Sequence, residues 1–342
     1  MKILFVEDEL SKNIPRITRL FSKYLSKKKI RKLEELEADE SGYGAEPEEV
    51  KAIVEESGLI ELEYRFPDAL RKIIHHHSNY VLFIIDRNLV ECGYEFSEIA
   101  GIDPKYSESQ YEKFFEREGD YLLHKLLYSG VDVMRKFYFL TAYSAQNEIR
   151  GCEEIKTLID FGKFNTENFI EKGGGKDFDC LCNVIENIGI LNLQHENMPY
   201  LNILRKNIGE RAAENLLKVL EEKDDEQRIG DNLKEMRNLY EQILKQASER
   251  IPNMKKSCEN DRGNIVMGKI TADWLSGNEH INIIIRNFFF SIKGIASDFG
   301  SHNNVKERSI YEPTGDTVNS LVYALKDVIS WFGKICSKYP KI

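Results

Sequence analysis

No apolar run in the sequence reaches the length that a membrane span needs, the runs there are, such as Val81–Ile85 and Ile283–Ile285, being a handful of residues. The opening segment MKILFVEDEL meets acids after six residues, too soon for the apolar core of a secretory signal. Cysteine is sparse and scattered. The six cysteines include no CxxC pair, since Cys180 and Cys182 are two apart, and no second pair completes a zinc set. Scattered thiols of this kind fit a reducing compartment, so a cytoplasmic protein is expected. An excess of positive charge is also missing. The formal charge is −9, made of 25 Lys+Arg against 33 Asp+Glu in residues 1–175 and 23 against 24 in residues 176–342. Neither half carries the basic footprint of a chain that holds nucleic acid by neutralising phosphates, and DNA is not an expected partner. There is no internal repeat of 20–50 residues.

What is present is enough apolar material for packed cores, 42% of 342 residues, a length that suits two domains. The first half alternates strand-like and helix-like segments. Lys2–Val6, Leu59–Tyr64, Tyr80–Ile85, Lys136–Leu140 and Asn168–Glu171 read as strands. Between them, apolar residues recur at helical spacing from Leu10 to about Leu36, over Pro67–His77, over Gly119–Ser129 and over Asp179–Ile188. Strands separated by helices predict a parallel sheet covered on both faces, because right-handed crossovers place the helices there. Two charged or polar stretches, near 26–58 and 90–118, read as insertions at the surface.

Four of the five strands run straight into polar residues at their carboxyl ends. Glu7 and Asp8 follow the first, Asp86 the third, Thr141 the fourth and Lys172 the fifth. In an open α/β sheet the ligand crevice lies outside those ends, so these groups are expected on one rim. Carboxylates gathered there repel one another and favour a hard divalent cation with oxygen ligands, for which magnesium (Mg2+) is suited. A carboxylate beside such a cation is able to attack phosphorus. The Thr141 hydroxyl and the Lys172 ammonium are placed to hold the remaining phosphoryl oxygens.

Residues 1–190 resemble the receiver domain of two-component response regulators. The acid pair in VEDE matches Glu7 and Asp8, the phosphoacceptor in FIIDRNL matches Asp86, the switch hydroxyl in FLTAYS matches Thr141, and the lysine in FIEKG matches Lys172. The resemblance implies a flavodoxin-like, doubly wound five-stranded sheet over residues 1–191. It also implies magnesium held by Glu7, Asp8, Asp86 and the backbone carbonyl of Asn88, and a switch aromatic at Phe169. The implied partner is a histidine kinase or phosphotransfer protein. The two insertions lengthen the chain between the motifs, and Gly173 stands where the family usually has proline.

From residue 192 onward the alternation stops. Leu201–Glu222, Gln227–Arg250, Met267–Trp274, His280–Phe299 and Thr317–Cys336 read as helices, which predicts a separate all-α output domain over 192–342. No basic recognition helix is present. The segment from Ile283 to His302 is faintly similar to HEPN-type helical domains, many of which dimerise and cut RNA with an arginine and a histidine. Arg286 and His302 are the matching residue types, but sixteen positions separate them, unlike the short motif of that superfamily. Two alternatives therefore accompany the response-regulator reading: a phosphorylation-independent interaction module with a degenerate receiver, and a receiver-controlled HEPN-like ribonuclease.

Overall fold

The computed structural model describes residues 1–38, 45–150, 152–300 and 312–341, with the side chains of 297–300 set aside. These fall into two compact units, Met1–Asn192 and Leu193–Ile342.

The first unit is built on five strands: β1 (Lys2–Val6), β2 (Ile60–Glu63), β3 (Tyr80–Asp86), β4 (Phe137–Thr141) and β5 (Phe169–Glu171). They form one sheet in the order β2-β1-β3-β4-β5, and every neighbouring pair is parallel. This is one of the two common orders of doubly wound sheets, with the switch point between β1 and β3. Side chains alternate across the sheet because successive residues of a strand point to opposite faces. Leu4, Val6, Phe83, Ile85, Phe137 and Phe139 pack in one buried cluster with residues of the helices Phe66–His76 and Glu118–Tyr128. On the other face Phe5 meets Phe21 edge to face at 5.6 Å, just past the helix Ile14–Leu20. The Arg19 guanidinium covers the ring of Phe178, in the helix Lys176–Glu186, at 5.0 Å. Helices thus cover both faces, which is why β1 and β3 are apolar almost throughout.

The apolar spacing from Leu10 to Leu36 does not make one helix. The helix Ile14–Leu20 ends at a turn, and a second helix, Lys27–Glu37, begins where Ser26 caps it by accepting the Lys29 N–H. Phe21, Tyr24 and Leu25 stay buried in the turn, so the periodicity survives a break in the backbone. The stretch 90–118 is likewise more than a polar surface loop. It holds the helices Phe96–Ile102 and Glu108–Phe114 and sends Ile99, Tyr106 and Phe114 into the core, where Tyr106 and Tyr121 meet at 4.7 Å.

In the second unit the regular elements among the described residues are helices, with one isolated antiparallel bridge between Glu259 and Ile265. The expected helix Leu201–Glu222 is divided: Gly189–Asn207 and Glu210–Glu222 are separate, and Gly209 between them has a φ of 139°, a conformation that favours glycine. The helices Ile229–Ser248, Ile283–Gly300 and Gly315–Lys338 enclose a core that includes Leu233, Tyr240, Phe289, Leu325 and Phe332.

Candidate functional site

Strand register brings the chemistry together. Val6 pairs with Ile85, so Glu7 and Asp86 come level; Asp86 pairs with Leu140, which sets Thr141 one residue further on. Thr141 pairs with Glu171, and Lys172 follows it. With a rise of about 3.3 Å per residue, these groups share one rim despite their separation in sequence. The cleft there has a volume of about 340 Å³, and its lining includes Asp8, Asp86, Asn88, Thr141 and Lys172.

Oxygen atoms of Glu7, Asp8 and Asp86 lie within 4.8 Å of one another, the spacing of ligands around one cation. Lys172 Nζ bridges two of them, at 2.7 Å from Glu7 Oε2 and 2.5 Å from Asp86 Oδ2. Two of the three carboxylates thus share one ammonium. Burial, then the negative charge of Asp86, pushes the Glu7 carboxyl up to about 8, with Lys172 acting in the opposite direction. Asp8 is pushed up to about 6, chiefly by burial. Burial works against the charge of Lys172, but Glu7 and Asp86 outweigh it and hold the ammonium above its ordinary range.

The surrounding backbone fixes this set. The Lys172 N–H donates to the Thr141 carbonyl at 2.6 Å, and Arg16 Nε donates to the Lys172 carbonyl at 2.7 Å, so both ends of the lysine backbone are held. Asp8 Oδ2 accepts the Glu91 N–H at 2.8 Å, which ties the start of the 90–118 insertion to the acid pair. Asn88 donates its N–H to Asp86 Oδ1 at 3.4 Å. The Thr141 hydroxyl donates to the Tyr143 carbonyl at 2.6 Å, two residues along its own chain. Phe169 is turned inward, stacked on Phe139 at 5.0 Å and edge-on to Phe164 at 5.6 Å.

Several residues that sequence patterns did not single out support the rim, and two of them, Arg87 and Glu148, line the same cleft. Arg87 follows Asp86 directly and is buried, with Nε and Nη2 each 2.8 Å from a different oxygen of Asp120. Its Nη1 reaches the Glu148 carboxylate at 2.6 Å and the Glu148 carbonyl at 2.5 Å. Glu118, fully buried, accepts from the Leu89 N–H at 3.0 Å, the Tyr94 hydroxyl at 2.5 Å and the Glu116 N–H at 3.0 Å. Gly119 lies against the acceptor strand, where a Cβ would stand 2.6 Å from the Asp86 carbonyl oxygen. For Glu118, Gly119 and Asp120 the signal was present as that tripeptide, charges flanking a glycine where an apolar helix begins.

In the second unit Arg286 is committed to Asp273, at 2.6 Å, and its guanidinium lies 5.2 Å from the centre of the Phe290 ring. His302 lies outside the described residues. No helix among the described residues is long and apolar enough to cross a membrane.

Comparison with family models, with curated proteins and with solved structures finds no match to this chain.

Proposed function

We propose that residues 1–192 act as a magnesium-dependent phosphoacceptor, a receiver of the response-regulator kind, with Asp86 taking the phosphoryl group. The observation that carries this reading is the rim itself: three buried carboxylates within ligand spacing of one another, two of them bridged by a lysine that reaches them from the end of β5. The donor set fits a hard cation, since it offers only carboxylate oxygens beside an open cleft with room for water and phosphate. Glu7, Asp8 and Asp86, with the Asn88 carbonyl, would hold the magnesium, which when bound neutralises charge on the phosphoryl oxygens.

The chain's own groups do the rest. An Asp86 oxygen attacks phosphorus as the bond to the donor's leaving group breaks, leaving an acyl phosphate on Asp86. Lys172, already 2.5 Å from that carboxylate, turns from the carboxylates to a phosphoryl oxygen. The Thr141 hydroxyl exchanges the Tyr143 carbonyl for a second phosphoryl oxygen. The new charge, about −1.5 to −2 at neutral pH, draws that hydroxyl inward and alters the space beside Phe169. A cytoplasmic histidine kinase or phosphotransfer protein is the proposed donor, and the helical region 193–342 the proposed output domain, without DNA contact. A second copy of the chain is the other proposed partner.

The test is labelling with a small phosphodonor, acetyl phosphate, in magnesium and in excess chelator. Label that requires magnesium supports the reading; label of equal extent in chelator rejects it.

A further inference from the structure

Asp86 is followed by a buried arginine with two anchors of unequal stiffness. The first anchor is Asp120, 2% exposed, in the eleven-residue helix Glu118–Tyr128 that is packed into the core. That side has no slack. The Gly119 N–H donates to the Arg87 carbonyl at 3.0 Å, and a Cβ on Gly119 would stand 2.9 Å from the Arg87 Cα. The second anchor is Glu148, in the helix Ala145–Ile149, five residues long with no buried side chain. This short helix begins four residues after Thr141. A displacement of the backbone at Asp86–Arg87 meets close-packed atoms on the Asp120 side, and interiors of that density do not deform gradually. On the Glu148 side it meets a five-residue helix that rests on the core through the half-buried Ala145 and Ile149, a shorter and more exposed segment that opens at lower cost.

We propose that Arg87 is a positioning residue that links the state of Asp86 to the helix Ala145–Ile149 through the Glu148 carboxylate. The inference deepens the phosphoacceptor reading by naming a path from the acceptor to the segment after β4, separate from the Thr141 hydroxyl. It requires only that the charge at Asp86 be changed, whether by a phosphoryl group or by substitution. The Glu148 side is the one to perturb, because removing Arg87 itself would take from the buried Asp120 the arginine that pairs both its oxygens, leaving it with Arg117 at 3.8 Å.

The experiment is amide hydrogen exchange over 145–149 in the full chain, comparing Asp86 with Asp86→Asn in three backgrounds: parent, Glu148→Gln and Glu148→Ala. The expected result is that Asp86→Asn changes exchange there by about threefold or more in the parent. The change is smaller in Glu148→Gln, which keeps an acceptor oxygen at the same reach, and smallest in Glu148→Ala, where only the Arg87 contact to the main-chain carbonyl of residue 148 remains. A merely structural ion pair would alter exchange in every background without altering its dependence on residue 86. The same change in all three backgrounds, or none in the parent, overturns the proposal. If Glu148→Ala loses its fold, the Gln comparison decides alone, with a reduced dependence in favour and an unchanged one against. No phosphoryl transfer enters this readout, so failure of acetyl phosphate labelling removes the acceptor reading and leaves the linkage to be judged on its own result.

Discussion

Lys172 Nζ stands 2.7 Å from Oε2 of Glu7, a carboxylate with no exposure to solvent. A buried carboxylate beside a single shared ammonium is costly to ionise, and that one pair makes the rim sensitive to pH, to divalent cations and to loss of the lysine.

Cation binding should be pH-dependent. Glu7 and Asp8 are raised to about 8 and about 6, so both must give up protons to serve as ligands. Magnesium affinity is expected to rise between pH 6 and 8, with protons released on binding. Calorimetric titration in buffers of different ionisation heat measures both; an affinity flat across that range counts against the assignment of Glu7.

Stability without metal should run the other way. A carboxyl raised in the folded state binds more protons folded than unfolded between its unfolded value, 4.5, and about 8. Its contribution is therefore fully present below 4.5 and is lost as pH climbs to 8. In chelator the melting temperature of the first unit should fall across this window, by about 2–4 °C for each kcal/mol of linkage. Glu7→Gln should flatten that slope, as scanning calorimetry at several pH values would show.

Lys172→Met should destabilise the metal-free protein by about 3 kcal/mol, since it leaves buried carboxylates without their cation. Millimolar magnesium should restore much of the loss. Urea unfolding with and without magnesium is the check, and equal losses in both conditions would mean that the carboxylates do not bind it.

Gly119→Ala should cost about 1–3 kcal/mol, because the added carbon would fall 2.6 Å from the Asp86 carbonyl oxygen, an atom of the sheet backbone that has nowhere to go. Urea midpoints of variant and parent measure it.

The rim was legible because β1, β3 and β4 are apolar runs that give way to a polar residue at their carboxyl ends, so Glu7 after ILFV, Asp86 after YVLFII and Thr141 after FYFL mark their own places. Local order along the chain carried that information. Arg87 was hidden for the opposite reason. Its partners Asp120 and Glu148 lie 33 and 61 residues away, and an arginine beside an exposed-looking turn reads as surface until the fold supplies both acids. The insertion 90–118 reads as polar because Tyr94, Phe96, Tyr106, Tyr111 and Phe114 follow no helical or strand period. Their order comes from packing around Phe66 and Tyr121, which is tertiary. The turn after Leu20 was missed because apolar residues continue through it, and Ser26 was the cue that a new helix starts.

The most direct measurement compares parent and Asp86→Asn after incubation with acetyl phosphate and magnesium, using intact mass to detect one added phosphoryl group and peptide mapping to place it. The account predicts a hydroxylamine-sensitive group on the peptide carrying Asp86 in the parent and none in the variant. Equal modification of the two proteins, or a parent that stays unmodified while magnesium is bound, would contradict it.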